Sequence, residues 1–132
     1  MEHWEEIYKD IIPVGKYETL VKNGEKAGLS INLESNEHIA SINFGVVSAF
    51  RMLDEGIVLE GVFDDNEILK YRKNNFSNTI YRIEDGEFGN FVKQTGNELY
   101  DYLELKHYII ITINYVIEII SRWEPNIEIL KK

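Results

Sequence analysis

The chain has 132 residues, 23 acidic against 14 basic side chains, a formal charge of -9 and no cysteine. The missing thiols exclude disulfide frameworks, thiolate metal sites and cysteine nucleophiles. The acidic balance argues against nucleic acid and membrane surfaces as partners, because both require a basic patch, and it suits a basic protein. With 44% hydrophobic and 28% charged residues the composition is that of a folded chain, read as one domain over residues 1–132.

The opening "MEHWEEIYKD" is acidic and lacks a basic segment followed by an apolar core, so no secretory signal is expected and a cytoplasmic location is. Trp4, Ile7, Tyr8 and Ile11 fall at the spacing of one helix face, which predicts an N-terminal helix over 2–12, ended by Pro13 and Gly15. "KYETLVKNGEKAGLSINLES" predicts two strands joined at Asn23-Gly24, the second with Leu29, Ile31 and Leu33 on one face. In "HIASINFGVVSAFRML" the alternation slips after Gly45, which predicts a bulge or bend there.

Asp54-Glu55-Gly56 reads as a turn, "IVLEGVF" as a strand and "NEILKYRKNN" as a short helix capped by Asp64 or Asp65. "NTIYRIED" reads as a strand, and "GEFGNFVKQTGN" as an irregular or helical excursion with Phe88, Phe91 and Val92 spaced for one face. "NELYDYLELKH" is ambiguous between states.

The apolar run from Tyr108 to Ile120 is interrupted by Asn114 and Glu118, and a bilayer span needs roughly 20 nearly uninterrupted apolar residues. Its β-branched side chains suit strands better than helices. Two strands turning at Asn114-Tyr115 are predicted, set centrally in the sheet beneath the helices because both faces of "YIIITI" are apolar.

No catalytic or cofactor motif is present. His107, with Asp101 or Glu104, offers acid/base or metal chemistry, but no H-x-x-x-H spacing accompanies it, and a strand-end histidine bonded to backbone is the simpler reading. "DDNE" at 64–67 lacks the pattern of a calcium loop and reads as an acidic helix start. "EDGE" at 84–87 reads as a solvated turn, and the glycines of "GEFGNF" are followed by no G-K-[ST], so they form no phosphate loop. Residues 54–104 carry 12 acids against 5 basic residues, and there Tyr100, Tyr102 and Tyr108 interleave with or border Glu98, Asp101 and Glu104. Rings beside acids are the composition of a docking face, although tyrosines at a core boundary give the same pattern.

"IYRIEDGEFGNFVKQTGN" followed by "LKHYIIITINYVIEIIS" resembles small bacterial immunity-type proteins of polymorphic toxin systems, over about the last third of the chain. The resemblance lies in a strand, an aromatic-rich short helix, a strand opening on His-Tyr and a closing strand that ends near a proline. It is carried by Tyr81, Glu87, Phe88, Phe91, His107, Tyr108, Glu118 and Pro125. Gly86 and Tyr115 stand where that pattern has a Ser and an acid. The resemblance implies a toxin-neutralising binder or another non-enzymatic accessory protein, and transfers no active-site residue.

The expected fold is α+β: a mainly antiparallel β-sheet with an N-terminal helix and one or two short helices packed on it. The expected core is Ile31, Leu33, Ile42, Phe44, Val58, Ile83, Ile109, Ile111, Ile117 and Ile119. The expected function is non-enzymatic binding of a basic partner such as a nuclease toxin, with no cofactor and no metal. Asp54, Glu55, Asp64, Asp65, Glu84, Asp85 and Glu87 would steer, and Tyr100 and Tyr102 would anchor. The alternatives are a structural subunit forming a homo-oligomer such as a homodimer, and a metal-assisted hydrolase using Asp64, Asp65, Glu67 and His107.

Overall fold

The computed structural model describes residues 1–13, 15–54, 79–96, 98–112 and 114–132. The expected strand at 57–63, the helix at 66–75 and the core position Val58 lie outside them.

The alternating segments form two antiparallel sheets. One is four-stranded, built from β2 (Glu18–Gly24), β3 (Gly28–Glu34), β4 (His38–Gly45) and β9 (Asn126–Lys131) in the order β2-β3-β4-β9. The other contains β1 (His3–Glu6), β5 (Ala49–Asp54), β6 (Ile80–Glu84), β7 (Lys106–Ile111) and β8 (Tyr115–Ser121) in the order β1-β6-β7-β8-β5.

Leu29, Ile31, Leu33, Ala40, Ile42 and Phe44 from the first sheet share one buried cluster with Ile80, Tyr108, Ile110, Ile117 and Ile119 from the second. The sheets therefore face each other as a sandwich. Each fully buried Ile or Leu stabilises this interior by about 1.5–3 kcal/mol. The opposite face of the five-stranded sheet has its own cluster of Trp4, Tyr81, Ile83, Ile109, Ile111 and Val116. On that side the chain between β6 and β7 forms α1 (Glu87–Gly96) and α2 (Glu98–Tyr102), with α1 in contact with β7 and β8.

This corrects the α+β expectation: the architecture is mostly strand, in two sheets, and there is no N-terminal helix. His3–Glu6 is a strand paired with β6, Trp4 opposite Ile83. Tyr8 and Asp10 then adopt φ of 52° and 66°, left-handed values that a helix does not admit. The apolar spacing was real but served two faces: Trp4 enters the outer cluster, while Ile7 and Tyr8 pack against the inter-sheet core.

The remaining strands follow the alternation closely. The β2–β3 turn falls at Glu25–Ala27, one step beyond Asn23-Gly24, since Gly24 pairs with Gly28. The slip at Gly45 is a bulge, with Leu29 opposite Gly45 and Ser30 opposite Asn43. A Cβ on Gly28, whose φ is +80°, would lie 2.0 Å from the carbonyl carbon of Gly45, so only glycine lets the two backbones meet. β7 and β8 form the expected hairpin, closed by the Thr112 amide donating to the Tyr115 carbonyl at 2.9 Å.

Candidate functional site

Strand alternation places Glu118 among Val116, Ile117, Ile119 and Ile120 with its carboxylate on the outer face, fully buried. An isolated carboxylate there would be too costly to bury, so partners must come from neighbouring strands. Arg51 stands directly opposite it on β5, and Ile109 on β7. The Nε of Arg51 donates to Glu118 Oε2, and His107 Nε2 lies 2.7 Å from Glu118 Oε1. Both carboxylate oxygens are thereby engaged.

α1 covers this group. Arg51 Nη1 reaches Glu87 Oε1 at 3.5 Å, and the guanidinium lies 4.7 Å from the centroid of the Phe88 ring. Phe88 meets the His107 ring edge-on at 6.0 Å. A Cβ on Gly89 would lie 3.1 Å from His107 Nδ1, and one on Gly86 2.7 Å from Ile83 Cγ2, so these glycines allow the helix backbone to settle on the imidazole. That is the physical role of the glycines in "GEFGNF".

A carboxylate only accepts, so His107 donates from Nε2 to Glu118, and its Nδ1 is buried with no hydrogen-bond partner among the described residues. His107 is therefore bonded to a side chain rather than to backbone, and its partner is Glu118, not Asp101 or Glu104. The arrangement holds a helix on a sheet: its ionisable groups meet each other, and the His107 and Glu118 side chains are only 2% and 1% exposed.

The candidate acids separate. Asp54 ends β5 opposite Tyr115, at the hairpin end of the sheet, whereas Glu84 ends β6 opposite His3. Asp85 and Glu87 follow Glu84 closely, Asp101 lies in α2 and Glu104 just beyond it; all five of these acids are exposed. Asp85 accepts from the Met1 ammonium and from Asn90 Nδ2 at 2.9 Å, and both hold its carboxyl below the usual range. Lys93 links α1 to Asp101 at 3.7 Å. Glu55, Asp64, Asp65 and Glu67 lie outside the described residues.

Of the two candidate anchors, Tyr102 is 82% exposed and Tyr100 half-buried, where desolvation and then Asp101 push its hydroxyl pKa up. Phe91, on α1, is 61% exposed, a ring the docking-face reading had not included.

A second polar group lies at the far end of the sandwich, where Tyr17 OH is 2.8 Å from His38 Nε2 and Ser35 Oγ is 3.4 Å from His38 Nδ1. Ser35 Oγ already accepts from the amides of Glu37 and His38, at 3.3 and 3.2 Å, so it serves as a turn-closing acceptor. Among the described residues no three His, Asp or Glu side chains gather to hold a metal ion, and no helix is long and apolar enough to cross a membrane. Comparison with protein-family models, with curated proteins and with solved structures gives no match.

Proposed function

We propose that this chain is a non-enzymatic, cytoplasmic binding protein whose acidic helical face docks on a basic protein, and that the partner is a nuclease-type toxin which it neutralises as an immunity protein. The observation that carries this reading is local charge. Between residues 84 and 104 the acids are Glu84, Asp85, Glu87, Glu98, Asp101 and Glu104, against Lys93 alone. Exposed Phe91 and Tyr102 stand in the same segment and supply ring area for a contact. A nuclease that grips phosphate presents a cationic site, and opposite fields raise association toward about 10⁸–10⁹ M⁻¹s⁻¹ at low salt. The resemblance adds support, because Glu87, Phe88, His107 and Glu118, which help carry it, meet at the cluster beneath that face.

The test is protection. A cationic nuclease domain encoded beside this chain is expressed in a bacterial host with and without it. Growth is expected to return with the wild type and to fail with Glu84, Asp101 and Glu104 all changed to Lys. A wild-type chain that gives no protection would remove the reading.

Assembly through a sheet edge is the second reading, favoured by Ile129 and Leu130, 38% and 55% exposed on β9, which ends the four-stranded sheet. A monomer throughout sedimentation equilibrium would dismiss it.

A further inference from the structure

The three arginines among the described residues differ in their surroundings. Arg51 has Glu118, Glu87 and the Phe88 ring, and Arg122 lies 5.2 Å from the centroid of the Trp123 ring. Arg82 makes no ion pair, side-chain hydrogen bond or ring contact among the described residues. It sits on β6 opposite Tyr108, on the sheet face that carries Ile80 and Tyr108 into the inter-sheet core. A guanidinium thus stands at the margin of an apolar interior.

Arg82 lines a cavity of about 270 Å³ with Ile7, Tyr8, Tyr108 and Glu124. Tyr8 lines it from a left-handed backbone, φ 52°, a conformation that costs a non-glycine residue about 1–2 kcal/mol and that recurs at ligand clamps. Burial, followed by neighbouring charges, raises both phenols, Tyr108 to about 12, so both remain hydrogen-bond donors across the physiological range. Glu124 supplies a carboxylate to the same cavity without forming an ion pair with Arg82. The lining therefore offers a planar cation, two hydroxyl donors, one anion and an apolar surface.

We propose that this cavity binds a zwitterionic small molecule of the free α-amino-acid class. Its carboxylate would lie on the guanidinium fork of Arg82 and the hydroxyls of Tyr8 and Tyr108, its ammonium toward Glu124, and an apolar side chain against Ile7 and the tyrosine rings. A guanidinium matches a carboxylate through two parallel N–H donors, and the separate carboxylate gives an ammonium its own partner. A simple anion would satisfy Arg82 but face Glu124, and a simple amine would do the reverse. The site is independent of the acidic helical face and of any protein docked there.

Isothermal titration of the full chain uses L-leucine as probe, with 4-methylpentanoate and 3-methylbutylamine as analogues lacking its amine or its carboxylate. Leucine is expected to saturate below about 10 mM and to bind roughly tenfold tighter than either analogue. Arg82→Gln abolishes the heat, while Arg82→Lys, which keeps the charge and loses the fork, retains part of it. Glu124 is an exposed loop residue, so Glu124→Gln reports binding with the fold intact: leucine weakens and 4-methylpentanoate tightens. The proposal is overturned if leucine gives no saturable heat, if 4-methylpentanoate binds as tightly as leucine, or if Glu124→Gln shifts both ligands in the same direction.

Discussion

The two sheets solve different problems. The four-stranded sheet turns Leu29, Ile31, Leu33, Ala40, Ile42 and Phe44 inward and leaves half-buried Ser30, Asn32, Ser41 and Asn43 outward. Its charges balance, with Lys16, Lys22, Lys26, Lys131 and Lys132 against Glu18, Glu25, Glu34, Glu37 and Glu128 on the strands and their turns. The five-stranded sheet is buried on both faces and keeps an ion cluster under a helix whose surroundings are strongly acidic. A sheet held by apolar alternation needs no particular partner residue, whereas one that buries a carboxylate fixes Arg51, His107 and the helix above them as a unit. Among the described residues the charge excess belongs to that second region.

Loss of the carboxylate should break this contrast most severely. Glu118→Ala leaves Arg51 and His107 facing a buried gap, and urea denaturation should show a loss of about 3–5 kcal/mol. Gly89→Ala comes next: its Cβ would meet His107 Nδ1 at 3.1 Å, so the buried imidazole or the helix must give by a few tenths of an ångström, and about 1–3 kcal/mol of stability should go, with faster hydrogen exchange in α1 than in β3. On the four-stranded sheet, Glu34→Gln removes only the exposed 2.6 Å pair with Lys132, and the change should stay within about 1 kcal/mol.

A smaller effect sharpens the comparison from the shared interior. Burial raises Tyr108 from 10.0 to about 12, so its contribution to stability is full below pH 10 and declines as pH rises from there through 12. Phenolate absorbance should show a late-titrating fraction that Tyr108→Phe removes.

Much of the strand pattern was legible because alternation survives in a one-sided sheet: Ile31, Ile42 and Phe44 are buried as their spacing implied. The run around Tyr108 was equally readable, since apolar residues on both faces demand cover on both faces. The N-terminal strand was not, because His3–Glu6 contains a single apolar residue and owes its form to pairing with β6 across the sequence. The ion cluster was not legible. Glu118 stood in the sequence only as an interruption of the apolar run, and Arg51 lies 67 residues away, so only sheet order brings the two together. The acidic face was visible as composition, while its division, with Asp54 at one end of the sheet and Glu84 at the other, required the register.

The most direct measurement is stopped-flow association with the cationic nuclease domain proposed as the partner, as a function of salt, for two charge reversals. The first changes Glu84, Asp101 and Glu104 to Lys; the second changes Glu18, Glu25 and Glu128 to Lys on the balanced sheet. The helical-face variant should associate roughly tenfold or more slowly at low salt, with its salt dependence flattened, while the sheet variant stays much closer to wild type. Equal slowing by both reversals, or a larger effect from the second, would contradict the assignment of docking to the helical face.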